Sequence, residues 1–149
     1  MKTLLTAFAF LYVLLGCANN ECSDDPPPVA PVTFYITNKA GENLVKDVGT
    51  LFHPDSVQIF VDNKKTFFQK EYDKQENGYK FMIYPGGKVS GGDLFHIYLN
   101  RFDTDTLEVL YTVRKGRCFT TVDYTVFFFN GVQTYMNGQN ATLILKKSI

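Results

Sequence analysis

From Val32 onward the sequence is built of short segments in which apolar and polar residues alternate, separated by turn-forming residues. In TLEVLYTVRK, every second residue from Leu107 to Val113 is apolar. A β-strand points alternate side chains to opposite faces, so this period of two predicts half-buried strands. No segment shows a convincing helical period over a useful length. The pattern therefore predicts an all-β chain.

Strand candidates recur about every ten residues, with turn signals between them. The pair Asn130-Gly131, placed between two apolar segments, is a strong signal for a two-residue hairpin. The stretch DTDT at 103–106 also predicts a hairpin turn. Roughly seven to nine strands in one domain at 32–149 favour an antiparallel β-sandwich, immunoglobulin-like or transthyretin-like. A small β-barrel is the alternative.

The amino-acid composition limits the kinds of partner that the protein is expected to bind. Fifteen Lys and Arg balance fifteen Asp and Glu, so the molecule has no basic field of the kind that holds nucleic acid.

The run VFFFN places Phe127 and Phe129 on one face of a strand and Phe128 on the other. These rings form either core or a docking surface for a protein or a glycan.

The longest apolar run, Leu4 to Leu15, lies close to Met1 and follows Lys2. At about twelve residues it is shorter than the roughly twenty that a membrane-spanning helix needs. A positive start, an apolar middle and small residues afterwards are typical of a secretory signal peptide. The alternative is a buried N-terminal helix.

The end of this run, LLGC, resembles a bacterial lipobox, with Leu14 and Gly16 fitting the pattern and Leu15 departing from it. The resemblance implies that residues 1–16 are removed and that Cys17 carries the lipid. Residues 17–31 then form an acidic, proline-rich tether. Its acidic residues resemble the export signal of Bacteroidetes surface lipoproteins, although a solvated linker fits too: Glu21, Asp24 and Asp25.

The order of segments as a whole is similar to that of small Bacteroidetes-type lipoproteins. That resemblance implies an exported protein, anchored to the outer membrane by N-terminal acyl chains and exposed at the cell surface. With Cys17 acylated, Cys22 and Cys118 can form a disulfide in an oxidising compartment, and two free thiols are the alternative.

Few residues in the sequence suggest a catalytic or metal-binding site. His53 and His96 lack metal-ligand spacing, and no serine nucleophile elbow occurs. The carboxylates Asp103, Asp105 and Glu108 could bind calcium or serve a hydrolase, but the turn interpretation is favoured. We therefore expect no metal, no cofactor and no catalytic residue.

Two triplets, DSV and DTL, resemble the O-glycosylation motif of Bacteroidetes exported proteins, with Ser56 and Thr106 as acceptors. The functional expectation is a non-enzymatic binding or structural module on the cell envelope. The alternatives are a small secreted hydrolase that uses carboxylates and a secreted inhibitor that blocks a partner.

Overall fold

The computed structural model describes residues 30–49, 51–137 and 142–148. The predicted signal peptide, Cys17, Cys22 and nearly all of the predicted tether lie outside these residues. The described part contains no helix, and hence none long and apolar enough to cross a membrane.

The described chain is all-β, as its alternating pattern predicts. Its strands are β1 (Val32–Thr37), β2 (Gln58–Val61), β3 (Lys64–Lys65), β4 (Gln69–Asp73), β5 (Gly78–Ile83), β6 (Gly91–Asn100), β7 (Asp103–Lys115), β8 (Thr120–Phe129), β9 (Val132–Thr134), β10 (Met136–Asn137) and β11 (Thr142–Lys146).

The strands form two sheets that pack into a β-sandwich, which confirms the predicted fold class. The five-stranded sheet has the order β10-β11-β1-β5-β4, and the six-stranded sheet has the order β3-β2-β6-β7-β8-β9. Neighbouring strands are antiparallel, except that β1 and β11 run parallel along five paired positions. No strand is shared between the sheets within the described residues. The described chain is therefore a β-sandwich and not the small barrel that was the alternative.

The core lies between the inner faces of the two sheets. Phe34 of β1 and Phe81 of β5 are fully buried and stack with their ring centroids 5.6 Å apart. The inward face of β7 is apolar from Leu107 to Tyr111, as its sequence predicts. Each fully buried Leu, Ile or Phe side chain stabilises the fold by about 1.5–3 kcal/mol relative to exposure.

The predicted hairpin at Asn130-Gly131 is confirmed. Both residues have positive φ, 49° and 77°, as a two-residue turn between twisted strands requires, and the turn joins β8 to β9. The turn predicted at 103–106 is wrong, because β7 begins at Asp103 and the β6–β7 turn consists of Arg101 and Phe102.

The phenylalanine run of β8 alternates as predicted. Phe127 and Phe129 are buried in the core, while Phe128 lies half-buried on the outer face of the six-stranded sheet. The core interpretation therefore accounts for two of the three rings.

Candidate functional site

Asp105 is a carboxylate on the buried face of a strand. It lies two residues before Leu107 in β7, so the strand's period of two points both side chains inward. Asp105 is only 4 % exposed. A buried charge is costly unless it is paired and hydrogen-bonded, so this position demands a cation.

Lys147 supplies that cation from the other sheet. Its backbone N–H donates to the carbonyl of Thr37 at 2.8 Å, so the parallel pairing of β1 and β11 carries on past Lys146. Its Nζ lies 2.7 Å from both carboxylate oxygens of Asp105 and 2.6 Å from Oδ1 of Asp103. The Lys147 side chain is 11 % exposed. These residues form a charge cluster that ties the end of β11 to β7.

Asn130 completes the cluster from the β8–β9 turn. Its side-chain amide donates to Oδ1 of Asp105 at 2.8 Å, and its Oδ1 accepts the backbone N–H of Thr106 at 2.8 Å. The backbone N–H of Asn130 also donates to the carbonyl of Thr106 at 2.9 Å. The same residue therefore shapes the turn and satisfies the buried carboxylate.

Two opposing effects act on the pKa of Lys147. Burial disfavours the charged ammonium and lowers the pKa, but hydrogen bonds and attraction from Asp103 and Asp105 more than offset this. The net pKa lies above its ordinary value. The ammonium is therefore fully protonated at neutral pH.

The geometry of the cluster argues against the calcium binding and the hydrolase chemistry that the sequence suggested for its carboxylates. The ammonium of Lys147 lies where a bound cation would lie between Asp103 and Asp105. Glu108 is on the opposite face of β7 and does not join them. The described residues contain no group of three or more His, Cys, Asp or Glu side chains that could hold a metal ion.

An open cavity of about 740 Å³ lies beside the cluster, where β9 and β11 face each other across the gap between the sheets. It is lined by Asp105, Phe129, Asn130, Val132, Gln133, Thr134, Ile144, Lys146, Lys147 and Ser148. The cavity thus has an ion-paired base, in which the single ammonium of Lys147 contacts the carboxylates of Asp103 and Asp105. Amide and hydroxyl groups and apolar side chains form the rest of its lining.

The two histidines lie on different elements of the fold. His53 is exposed in the connection before β2, where its Nδ1 lies 3.7 Å from a carboxylate oxygen of Asp55. His96 lies in β6, opposite Thr106 of β7. The structure does not bring them together.

The predicted glycosylation acceptors differ in their surroundings. Oγ of Ser56 lies 2.7 Å from the carbonyl oxygens of both His53 and Leu99, so its hydroxyl is already engaged. Thr106 lies inside β7 rather than at a strand border. Glycosylation at both residues stays a prediction, and at Ser56 it would remove the hydroxyl donor that meets these carbonyls.

Cys118 lies exposed in the 116–119 connection between β7 and β8. The described chain begins beside the following strand, because the hydroxyl of Tyr124, midway along β8, donates to the carbonyl of Ala30 at 2.7 Å. Cys22, the predicted partner, lies outside the described residues, so the disulfide stays a prediction.

Comparison of the chain with protein-family models, curated proteins and solved structures found no match. The site is therefore interpreted from its own geometry.

Sequence reasoning missed Lys147 although it singled out both aspartates. The period of two in β7 already places Asp105 on the same face as Leu107, which signals a buried carboxylate in need of a cation. The identity of that cation depends on the parallel pairing of β11 with β1, which no local pattern in β11 reveals.

Proposed function

We propose that this protein is a lipid-anchored lipoprotein of the cell envelope whose β-sandwich is a non-enzymatic binding or structural module. Acyl chains on Cys17 attach it to the outer membrane, and residues 17–31 hold the sandwich away from the surface. The expected ligand is a protein or a glycan, with no nucleic acid and no cofactor involved.

The charge cluster is the observation that carries the non-enzymatic part of the proposal. A carboxylate-dependent hydrolase needs an acid and a base that can reach a substrate. Asp105 is buried and accepts hydrogen bonds from both Lys147 and Asn130, and Lys147 also binds Asp103. This arrangement suits a structural tie between the two sheets better than proton transfer.

The anchor is supported by the lipobox resemblance and by the physics of lipidation. Each methylene buried in the bilayer contributes about 0.8 kcal/mol, so one acyl chain binds only marginally and two or more give stable attachment. The charge balance of the chain supplies no general attraction to an anionic surface, so membrane attachment relies on the lipid.

The position of Ala30 supports a tether that leaves the sandwich beside β8. An extended chain spans about 3.3–3.6 Å per residue. The eight residue-to-residue steps from Ala30 back to Cys22 can therefore span roughly 26–29 Å from the point where Tyr124 holds Ala30. Cys118 precedes Tyr124 by six positions in the chain, so a Cys22–Cys118 disulfide is within reach.

Membrane fractionation in a host that processes lipoproteins tests the anchor. The wild-type chain should sediment with membranes and enter the detergent phase, while Cys17→Ser should appear in the soluble exported fraction. Cys22→Ser is the matched control and should stay with membranes. Membrane retention of Cys17→Ser equal to that of wild type would contradict the anchor.

A further inference from the structure

The end of β7 and the connection that follows it form a basic, exposed turn. Residues Arg114–Cys118 read RKGRC, and all five are exposed. Arg114 is paired, because its Nε lies 2.7 Å from a carboxylate oxygen of Asp123 in β8. Lys115 and Arg117 take part in none of the ion pairs of the described residues. We call Arg114–Cys118 the basic turn, and two of its three cations are uncompensated.

The elements that pack beside the basic turn do not supply the missing negative charge. The 84–90 connection lies against β7, since Oγ of Ser90 accepts the backbone N–H of Val113 at 2.8 Å. Its one charged residue is Lys88, which also takes part in none of these ion pairs. Residues 84–93 and 112–123 together hold four Lys or Arg and two Asp, a net charge of +2. This end of the β7–β8 hairpin is therefore positive.

The described chain begins beside the same strand. The hydroxyl oxygen of Tyr124 lies 2.7 Å from the carbonyl oxygen of Ala30 and 3.2 Å from that of Pro85. On its side away from β7, β8 pairs with β9 only along Phe127–Phe129, so no strand of the described chain borders residues 120–125 there. The residues that precede Ala30 therefore have an open strand edge beside them. A cavity of about 440 Å³ adjoins this edge, lined by Tyr84, Pro85, Gly86, Gly87, Lys88 and Val122.

The tether carries the opposite charge at the matching distance. Residues 21–25 hold three carboxylates and no cation. The last two of these carboxylates, Asp24 and Asp25, lie six and five residues before Ala30, which an extended or polyproline-like chain spans in roughly 16–22 Å. The basic turn ends six residues before Tyr124, roughly 20 Å along β8. A tether that runs back along β8 thus brings both carboxylates to the basic turn.

We propose that the acidic segment at 24–25 of the tether docks against Lys115 and Arg117 of the basic turn. The residues between this segment and the sandwich then lie along the open edge of β8. Exposed ion pairs are individually weak, but a partner on the same chain is present at a high effective concentration. The docking also brings Cys22 close to Cys118, and it does not require the disulfide between them.

Docking sets how far an anchored sandwich stands from the membrane, a consequence that rests on the proposed function. Bound at the basic turn, the tether is free only from Cys17 to about Cys22, five steps that span roughly 16–18 Å. With the tether released, the thirteen steps from Cys17 to Ala30 span roughly 43–47 Å. The docking itself needs no lipid.

Nuclear magnetic resonance on a full chain with one thiol tests the docking. The parent chain, Cys17→Ser/Cys118→Ser, leaves Cys22 as the single cysteine, whatever becomes of the anchor. A nitroxide label attached to Cys22 broadens the amide signals of residues close to it. Docking should centre this broadening on residues 116–119, whereas an undocked tether spreads it around Ala30.

Two variants remove the charges on each side of the contact. Asp24→Asn/Asp25→Asn and Lys115→Gln/Arg117→Gln should each lower the broadening at 116–119 by about threefold, as expected for the loss of weak exposed pairs. Addition of about 1 M NaCl to the parent chain should act likewise, because it screens exposed charges. Reversal of all four charges together should restore the broadening. The first variant changes only the tether, so its result does not depend on how the turn variant folds.

Lys39→Gln/Lys74→Gln is the matched control, because it removes two exposed cations from the turns that follow β1 and β4. It should leave the broadening unchanged. Equal broadening at 116–119 in the parent chain and both charge variants would overturn the proposal. Broadening centred on Ala30 in the parent chain, or an equal loss in the control, would also overturn it. Membrane fractionation reads the anchor alone, so failure of the anchor and failure of the docking are distinguishable.

Discussion

At the scale of single residues, Asp105 sets the strongest constraint in the molecule. Its position on the inward face of β7 would leave an uncompensated charge in the core without Lys147 and Asn130. A buried ion pair adds little to the free energy of unfolding compared with well-packed apolar side chains of similar size. Removal of one partner alone is strongly destabilising, because it leaves the other charge buried and unpaired.

Lys147→Met should therefore lower the free energy of unfolding by about 3–5 kcal/mol, a large part of the ~5–15 kcal/mol of a typical domain. Urea denaturation at neutral pH measures the change. The adjacent exposed Lys146→Met is the control and should stay within about 0.5 kcal/mol of wild type. The double variant Asp105→Leu/Lys147→Met should recover part of the loss. A Lys147→Met variant within 1 kcal/mol of wild type would contradict the cluster's role.

The pH dependence of stability follows from the raised pKa of Lys147. The unfolded chain releases this proton at a lower pH than the folded chain, so the contribution is fully present below the ordinary lysine pKa of about 10.5. It is lost as the pH rises through the folded-state value. Between pH 9.5 and 11.5, the free energy of unfolding of wild type should fall more than that of Lys147→Met in urea titrations. Parallel curves for the two proteins would exclude the raised pKa.

The sequence could predict that Asp105 is buried, because its alternation with Leu107 is local information. It could not predict Lys147 as the partner. That contact joins positions 42 residues apart and requires β11 to lie parallel to β1, whereas the repeated turn signals favour antiparallel neighbours. The assignment of 103–106 to a turn failed for a related reason. Asp and Thr are turn formers by propensity, but here all four residues belong to β7, and its two aspartates contact Lys147.

At the scale of elements, the β8–β9 hairpin has a double role. Its two-residue turn fixes the register Phe129–Val132 and places Asn130 over Asp105. The turn is readable from sequence because Asn-Gly accepts positive φ at both positions.

Gly131→Ala should lower the free energy of unfolding by about 1 kcal/mol, because a Cβ is strained at a φ of 77°. Gly91→Ala is a matched control. Neither glycine has a heavy atom within 4 Å of an added Cβ, but only Gly131 has positive φ. Gly91→Ala should therefore be neutral or slightly stabilising. Thermal denaturation of both variants measures the difference, and equal melting temperatures would show that the turn tolerates a side chain.

At the scale of the whole molecule, β8 connects the point where the described chain begins with the cavity between the sheets. Ala30 is held by Tyr124, midway along β8, and the 740 Å³ cavity lies by Asn130, just past the end of that strand. The fold class was predictable, since the period of two recurs in the long strands β6 and β7 and in the second half of β8.

A Cys22–Cys118 bridge would close the tether onto the sandwich and stabilise it by about 4–5 kcal/mol in the chain-entropy model, since its loop is about a hundred residues long. The intact mass of the exported protein should rise by two hydrogens on reduction. Cys118→Ser should show no such change. A wild-type mass that is the same before and after reduction would exclude the bridge.

The central claim is the lipid on Cys17, and the mass of the N-terminal peptide of the membrane-extracted protein tests it most directly. The account predicts a peptide that begins at Cys17 and carries a diacylglyceryl group on its sulfur. A peptide that begins at another residue, or an unmodified Cys17, would contradict it.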